Sequence, residues 1–544
     1  MNFTTKLKSF SIKFRHLGLL LLATFFCSLT FAQQYDTIIK NGRIIDGSGN
    51  PWYTSDLAIK GRKIVGIGSF QTNEGKQVID AKNQIVCPGF IDVHTHVEDG
   101  IKTVSTADNF IHDGVTSVIT GNCGSSEVNL AKFFGDLKQL QISVNLGSLI
   151  GHNSVRRAVM MNVFRDPTAQ EQQKMEALVE QAMKDGAVGL ATGLIYIPGT
   201  YSRTPEVVGL AKAASKSGGI YASHIRDEGV KVRDAIEEAI NIGREAHIPV
   251  EISHFKISSK PLWGHSDMTI GIVEKARLEG IDVNVDQYPY TASSTNMGTM
   301  LPSWALADGD SMVHVRLTNP ETRKKIREEM IKGVKADKRK SYDYAFVARY
   351  RADSTLNGKN VSEINKLLGR KSDLATEADL IMDMVDKGGA QMVFHKMSED
   401  DVAKILRYPN TMIASDAGVI QFNRNMPHPR GYGSNARVLG RYVREKQVLR
   451  LEDAVRRMTS LPAQRFKIEN RGLIRTGFAA DIVIFDENKI IDMATYEKPH
   501  AYSEGIDYVL VNGTVVLENG KHTGKKPGEI IYGKGKVTNL TSGQ

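Results

Sequence analysis

From about residue 88 to residue 466, short apolar runs alternate with longer amphipathic stretches. The runs fall at 90–94, 117–119, 143–150, 188–191, 220–224, 250–254, 283–287, 392–395 and 412–415. Between them, segments such as 169–184, 205–217, 230–246 and 269–279 are amphipathic in the manner of helices. Continuous apolar strands separated by such helices imply a parallel sheet with helices outside. Eight repeats in this space fit an α/β fold, a (β/α)8 TIM-like barrel with an insertion. Nine runs compete for eight places, so one is surplus, and 392–395 or an insert strand is the candidate. The stretch from about 300 to 389 breaks the rhythm with charged helical sequence such as 321–340, and reads as an insertion in the barrel.

Both ends follow the two-residue period of strands instead. Asn41-Gly42 lies between the apolar runs of 37–45, and Asn512-Gly513 between those of 509–516. Each reads as a tight hairpin. Further short strands fall at 64–67, 78–79 and 482–485. Neither end alone buries two faces of a sheet. The economical arrangement is one small β-sandwich from 33–87 and 469–544, flanking a barrel of 88–468. The tail beyond Gly528 is polar and is expected to be loose.

The first 32 residues stand apart. Lys6, Lys8, Lys13 and Arg15 precede an apolar run from 17 to 31 that closes on Ala32. A basic head, a short apolar centre and a small residue at the cut describe a secretory signal peptide, with a periplasmic or secreted product and no stable membrane insertion after cleavage. Removing those four basic residues lowers the formal charge from +9 to +5, which weakens any case for nucleic acid. With 41% hydrophobic and 24% charged residues, disorder is excluded. The 3 cysteines cannot build a disulfide framework.

Candidate chemistry emerges from the last residues of the predicted strands. The first leads to His94-Thr95-His96 and the second to Gly121-Asn122-Cys123-Gly124. Later ones stop at His224, at His254 and at Ser415-Asp416. Any one of these alone is more often a hydrogen-bonded or buried residue than a ligand. In a barrel, however, the carboxyl ends of all strands converge on one face. His94 and His96, two apart on extended backbone, leave the same face. Imidazoles, a thiolate and a carboxylate suit zinc, whereas calcium or magnesium would want more oxygens. Cys87, before the first barrel strand, belongs at the opposite end from Cys123 and reads as buried filler.

Gly89-Phe90-Ile91-Asp92-Val93-His94-Thr95-His96 resembles the opening signature of the amidohydrolase superfamily. With Gly121-Asn122-Cys123-Gly124, Gly193-Leu194-Ile195-Tyr196, Ser223-His224-Ile225-Arg226-Asp227-Glu228, Ile252-Ser253-His254, Tyr288-Pro289-Tyr290 and His428-Pro429-Arg430, the series resembles the N-acyl-D-amino-acid deacylases, or D-aminoacylases. The resemblance covers nearly the whole chain after the signal. It implies that Cys123, His224 and His254 hold one zinc tightly, with His94, His96 and Asp416 at a second, weaker position that Cys123 bridges. It also implies that Lys256, Tyr288, Ser294 and Arg430 hold the substrate's carboxylate and polarised carbonyl. Asp416 is then the catalytic general base and acid. Two positions depart from the pattern: Phe255 stands where many relatives carry His, and Ala417 where Gly is usual.

The implied reaction is hydrolysis of N-acyl-D-amino acids to a carboxylate and a free D-amino acid. Two alternatives stand beside it. One is another amidohydrolase reaction, on cyclic amides or D-residue-containing dipeptides. The other is a non-catalytic exported binding protein, which the full set of ligands disfavours.

Overall fold

The computed structural model of the chain describes residues 33–537, so the signal-like segment 1–32 lies outside the described residues. Among the described residues, no helix is long and apolar enough to cross a membrane.

Eight parallel strands form the central barrel: Phe90–Asp92, Val115–Thr120, Asn145–Ser148, Gly189–Gly193, Ile220–His224, Val250–Ile252, Val283–Gln287 and Thr411–Ile413. They are buried along their whole lengths. Helices cover one face and barrel contents the other, which is why their sequences run apolar without alternation. The third strand passes to the fourth through Ile150–Gly151, where Ile150 pairs with Leu190. The eighth closes onto the first through a Thr95–Ala417 bridge and a 2.9 Å bond from the Asp416 amide to the His94 carbonyl. Inside, Ile91, Ile119, Ala191, Ile220, Ala222 and Met412 fill the barrel in one cluster.

The surrounding helices show why the pattern read as it did. Val232–Ala246 buries Val232, Ala235, Ile236, Ala239, Ile240 and Ile242, one stripe at three- and four-residue spacing. Each isoleucine there contributes roughly 1.5–3 kcal/mol of burial. Leu374–Asp386 is capped by Asp373, whose side chain accepts from the Thr376 amide.

Both termini join one continuous nine-stranded sheet. Ile39, Ile44, Leu57 and Ile79 from the start pack with Ile482, Ile484 and Leu510 from the end in a single core. The two Asn-Gly pairs behave differently. Asn512 and Gly513, at φ +48° and +76°, turn Ile506–Val511 back onto Thr514–Glu518, as expected. Asn41-Gly42 does not turn, contrary to expectation: Tyr35–Ile44 runs straight through it with a bulge against Tyr53–Lys60. The strand is held on its other edge by Gly75–Asp80 and then Ile85–Pro88, so tertiary pairing overrides the local turn signal. A Cβ at Gly42 would lie 2.5 Å from Val86, so glycine there serves a close approach.

Between the seventh and eighth barrel strands lies an inserted unit. Its antiparallel sheet pairs Ser293–Asn296 and Ala345–Tyr350 with Ala390–Phe394, so the unit reaches beyond 300–389 on both sides. The surplus run at 392–395 belongs here. The unit has its own core, including Met297, Ile326, Val347, Ile364, Ile381 and Met392. The tail also corrects its expectation. Beyond Gly528 it is tied to the barrel by bonds from Gly528 to Ile142, from Leu146 to Glu529 and from Ile531 to Leu146, each 2.8 Å.

Candidate metal centre and active site

The strand ends do converge. His94 Nε2 lies 3.3 Å from Cys123 Sγ, and that sulfur lies 3.5 Å from both His224 Nδ1 and His254 Nε2. His94 and His96 reach one oxygen of Asp416, at 3.6 and 3.1 Å. Two groups of donor atoms result, His94, His96, Cys123 and Asp416, and Cys123, His224 and His254, each within 4.8 Å, and they share the thiol. Cys87 and Cys123 are both free; Cys87 is buried on a strand of the terminal sheet, paired opposite Val483.

Local backbone geometry aims these side chains. Cys123, His254 and Asp416 have φ of +52°, +36° and +51°, a region that costs a non-glycine residue energy unless its surroundings impose it. Their packing is tight: a Cβ at Gly193 would fall 2.1 Å from the Cys123 carbonyl oxygen. Three such turns within one cluster mark a place where position has been favoured over local comfort.

Behind the donors stands a second set of groups. Asp286 places Oδ2 3.3 Å from His94 Nδ1 and accepts the His254 amide on Oδ1 at 2.8 Å. A proton held on Nδ1 by that carboxylate leaves Nε2 of His94 as the free donor. Glu228 lies 3.0 Å from His254 Nδ1 and accepts from Lys256 at 2.5 Å. Asp92 accepts the His94 and Ser415 amides, each at 3.1 Å. Asp286 stands on the seventh strand, one residue before its end, and the strand-end rule would have found it had the strand been read to stop there. Asp227 caps the chain before Val232–Ala246, accepting from the Gly229 and Lys231 amides.

Electrostatics sort the groups into ligand-ready forms. Burial and the nearby cations keep His224 well below the ordinary histidine range, and burial with Lys256 also lowers His254, so both rings are neutral. Burial opposes the charge on Asp416, but Arg430, His96 and His94 hold its carboxyl well below the usual range. Burial, with Asp416 beside it, pushes the Cys123 thiol well up. A buried thiol among neutral imidazoles ionises only with a cation at hand, and this donor set fits a borderline-soft metal such as zinc.

Of the residues expected to bind substrate, Arg430 is the most telling. Its Nη1 sits 2.8 Å from Asp416 Oδ2 yet is not aligned to donate, so the contact is one of charge and the N–H is unclaimed. Its guanidinium lies over the Tyr288 ring at 4.5 Å. Among the described residues the Tyr288 hydroxyl has only the Met397 sulfur as partner, at 3.8 Å. Ser294 donates to the Met392 carbonyl at 2.8 Å and accepts from Gln391. Lys256 is largely committed, donating to Glu228 and to the His254 carbonyl at 2.9 Å, with its ammonium 2.7 Å from His254 Nδ1. Phe255 is buried in the core, and Ala417 lines the site.

Two cavities, of about 790 and 490 Å³, meet at Asp416, Tyr196 and Ser294. The larger reaches His96, Cys123 and Arg430; the smaller reaches His224, His254, Lys256 and Tyr288. Tyr196, the last residue of the Gly193-Leu194-Ile195-Tyr196 motif, is a site residue that the strand-end pattern misses; its hydroxyl accepts from Thr295 at 3.0 Å and its ring packs on His224.

Residues 77–517 match the model of the Amidohydrolase family. An N-acyl-D-glutamate deacylase and a D-aminoacylase, both of Alcaligenes xylosoxydans xylosoxydans, are 32% and 33% identical to the chain, each over 92% of it and over 97% and 98% of their own lengths. An N-acyl-D-glutamate deacylase of Bordetella bronchiseptica, solved with zinc and a phosphonate mimic of the tetrahedral intermediate, aligns at a TM-score of 0.79 and 32% identity, covering 92% of this chain and 100% of that one. With a family model spanning most of the sequence and relatives matched almost end to end, the chain belongs to the amidohydrolase family, among the D-aminoacylases and N-acyl-D-amino-acid deacylases.

Proposed function

We propose that the protein is a zinc-dependent hydrolase that cleaves the amide bond of N-acyl-D-amino acids, releasing a carboxylate and a free D-amino acid. The observation that carries this reading is the pair of donor groups sharing Cys123, with Asp416 and its ion-pair partner Arg430 beside them, on two cavities that meet at Asp416. Relatives that deacylate N-acyl-D-glutamate and the zinc bound in one of them support it.

Cys123, His224 and His254 would hold the tighter zinc, and His94, His96 and Asp416, with Cys123, a weaker one. Zinc in such a donor set brings the pKa of water down to about 7 and polarises a carbonyl. Asp416, ionised and 11% exposed, takes a proton from the attacking water and returns it to the leaving nitrogen. Arg430 presents a planar fork to the substrate's α-carboxylate, and the Tyr288 ring beneath it fixes the plane of that fork. Burial raises the Tyr288 hydroxyl well above its usual range, so it stays protonated and can donate to the oxygen that gains charge. Lys256 acts through Glu228 and His254 more than on substrate.

Purified protein assayed with N-acetyl-D- and N-acetyl-L-amino acids, with and without chelator, tests the reading. Turnover of D substrates that chelator abolishes and zinc restores is expected. Chelator-insensitive turnover, or none on any N-acyl-D substrate, overturns it. The basic and apolar pattern of residues 1–32 further supports export to the periplasm or beyond, and the N-terminal sequence of the mature protein, expected to start at Gln33, checks it.

A further inference from the structure

The turn Tyr288-Pro289-Tyr290 follows directly on the seventh barrel strand, which ends at Gln287, and a 3.0 Å bond from the Tyr290 amide to the Tyr288 carbonyl closes it. Two arginines of one helix, Arg430–Arg437, hold this turn. Arg430 lies over the Tyr288 ring and Arg437 over the Tyr290 ring, each at 4.5 Å. Arg437 also donates from Nε to the Pro289 carbonyl at 2.7 Å, so it grips backbone and ring together. Its Nη1 donates to Asp492 Oδ2 at 2.8 Å, and the Tyr290 hydroxyl donates to the same oxygen at 3.3 Å. His428 ties the far end of the turn to the helix start: its Nε2 donates to the Ala292 carbonyl at 2.9 Å and its Nδ1 accepts the Arg430 amide at 3.0 Å.

Asp492 does not come from the barrel. It lies in the excursion between Ile482–Phe485 and Ile506–Val511, two strands of the terminal sheet. Glycines on the helix admit that excursion. A Cβ at Gly433 would fall 2.6 Å from Asp492 Cβ, and one at Gly440 would fall 2.5 Å from the Ile490 carbonyl oxygen. Arg437 sits between these two contacts and reaches Asp492 from there. The side chains of Arg437 and Asp492 are 15% and 5% exposed, so solvent screens the pair little. Neither residue lines either cavity, so any part they play in the reaction must pass through the turn.

We infer that Arg437 and Asp492 are positioning residues for the reaction, setting the Tyr288-Pro289-Tyr290 turn so that the Tyr288 hydroxyl meets the substrate oxygen that gains charge. The inference rests on the hydrolase reading above, in which Tyr288 donates to that oxygen, and it gives the terminal domain a part in catalysis. The physical reason is geometric. A donor works only where the charge develops, and a displacement of about 1 Å by a distant change can cost about 100-fold in rate. Arg437 suits the task because its planar fork serves Pro289 and Asp492 together while its face covers Tyr290.

The test is a double-mutant cycle on the full-length zinc enzyme, with the N-acetyl-D-amino acid it turns over fastest as substrate. Kcat, KM and bound zinc are measured for each variant. Arg437→Lys keeps a charge for Asp492 but cannot also hold Pro289 and cover Tyr290. It is expected to lower kcat about 10- to 100-fold, with KM within about threefold and zinc retained. Asp492→Asn keeps the side chain's shape, should lower kcat about 3- to 10-fold, and carries the cycle if Arg437→Lys does not fold. In a Tyr288→Phe background, itself about 100-fold slower, either change should cost no more than about twofold further, because the hydroxyl it positions is gone. Losses of the same factor in both backgrounds would make the pair merely structural and overturn the inference. So would wild-type kcat in both Arg437→Lys and Asp492→Asn, or wild-type kcat in Tyr288→Phe. Those outcomes leave the hydrolase reading standing; absence of turnover on every N-acyl-D substrate removes both.

Discussion

Cys123, His224, His254 and Asp416 face the cavity from barrel strand ends, whereas Ser294, Tyr342, Phe394 and Lys396 face it from an inserted sheet with a separate core. On the barrel side nearly every donor is backed: His94 by Asp286, His254 by Glu228, Asp416 by Arg430 and His96. On the inserted side, the Tyr342 hydroxyl has no hydrogen-bond partner among the described residues. Groups that must hold a metal and carry protons are best fixed by rigid strands and a supporting shell. Groups that discriminate among substrates can sit on an appended unit, where exchange leaves the chemistry intact. The division can be broken or sharpened by mutation on each side.

The largest effect is expected from Cys123→Ala, which removes the atom common to both donor groups. Bound metal should be lost and kcat/KM should fall by at least about 1000-fold, given what zinc does to the acidity of water. Metal analysis and steady-state kinetics read both, and a variant that keeps its metal and turnover would disperse the barrel wall's role. Next is Glu206→Gln. Glu206 faces His152 at 2.8 Å and Arg156 at 3.0 Å, all buried, behind the loop that carries Tyr196. Removing one member of a buried charged set should cost about 3 kcal/mol in a urea melt at pH 7. Burial opposes the Glu206 charge, but His152 and Arg156 hold its carboxyl below 4.5. Its contribution is therefore present above about pH 4.5 and lost as pH falls below that, so the gap between variant and wild type should narrow in acid. A gap that does not narrow contradicts the assignment.

Asp286→Asn comes third. It keeps the shape of the side chain but not the charge that orients His94, and should cost about 10- to 100-fold in metal affinity or kcat. Titration with zinc under a competing chelator measures it, and an unchanged affinity and kcat would leave His94 oriented by other means. The smallest effect belongs to the inserted wall. Ser294→Ala removes a hydroxyl already engaged with Met392 and Gln391. It should raise KM by roughly threefold to tenfold and leave kcat within about twofold. A collapse of kcat instead would put the inserted wall into the chemistry.

The barrel and its ligands were legible because parallel strands buried on both faces read as unbroken apolar runs, and their ends are where polar residues stand out. His94, Cys123, His224, His254 and Asp416 all surfaced that way. Asp286 did not, because its strand ends one residue later on Gln287 and a polar residue inside a strand carries no positional mark. The inserted wall was illegible for a different reason. Ser293–Asn296 pairs with residues almost a hundred positions away, at Gln391–Phe394, and no local period announces such a partner. Asn41-Gly42 shows the converse, a strong local signal overruled by strands on both edges. The tail read as loose because its anchors are all long-range, namely backbone bonds at Gly528, Glu529 and Ile531, the Glu529 ion pair with Arg471 and the burial of Ile531 against the barrel, and no local period announces them.

The most direct test of the account is Asp416→Asn, with metal content and kcat measured on the same preparation. Asp416 belongs to only one of the two donor groups, so Cys123, His224 and His254 should retain their ion. Turnover of an N-acyl-D-amino acid should fall about 100- to 10,000-fold, the usual worth of a general acid and base. Turnover close to that of wild type, with metal retained, would contradict the assignment of Asp416 as proton carrier and with it the chemistry drawn for this site.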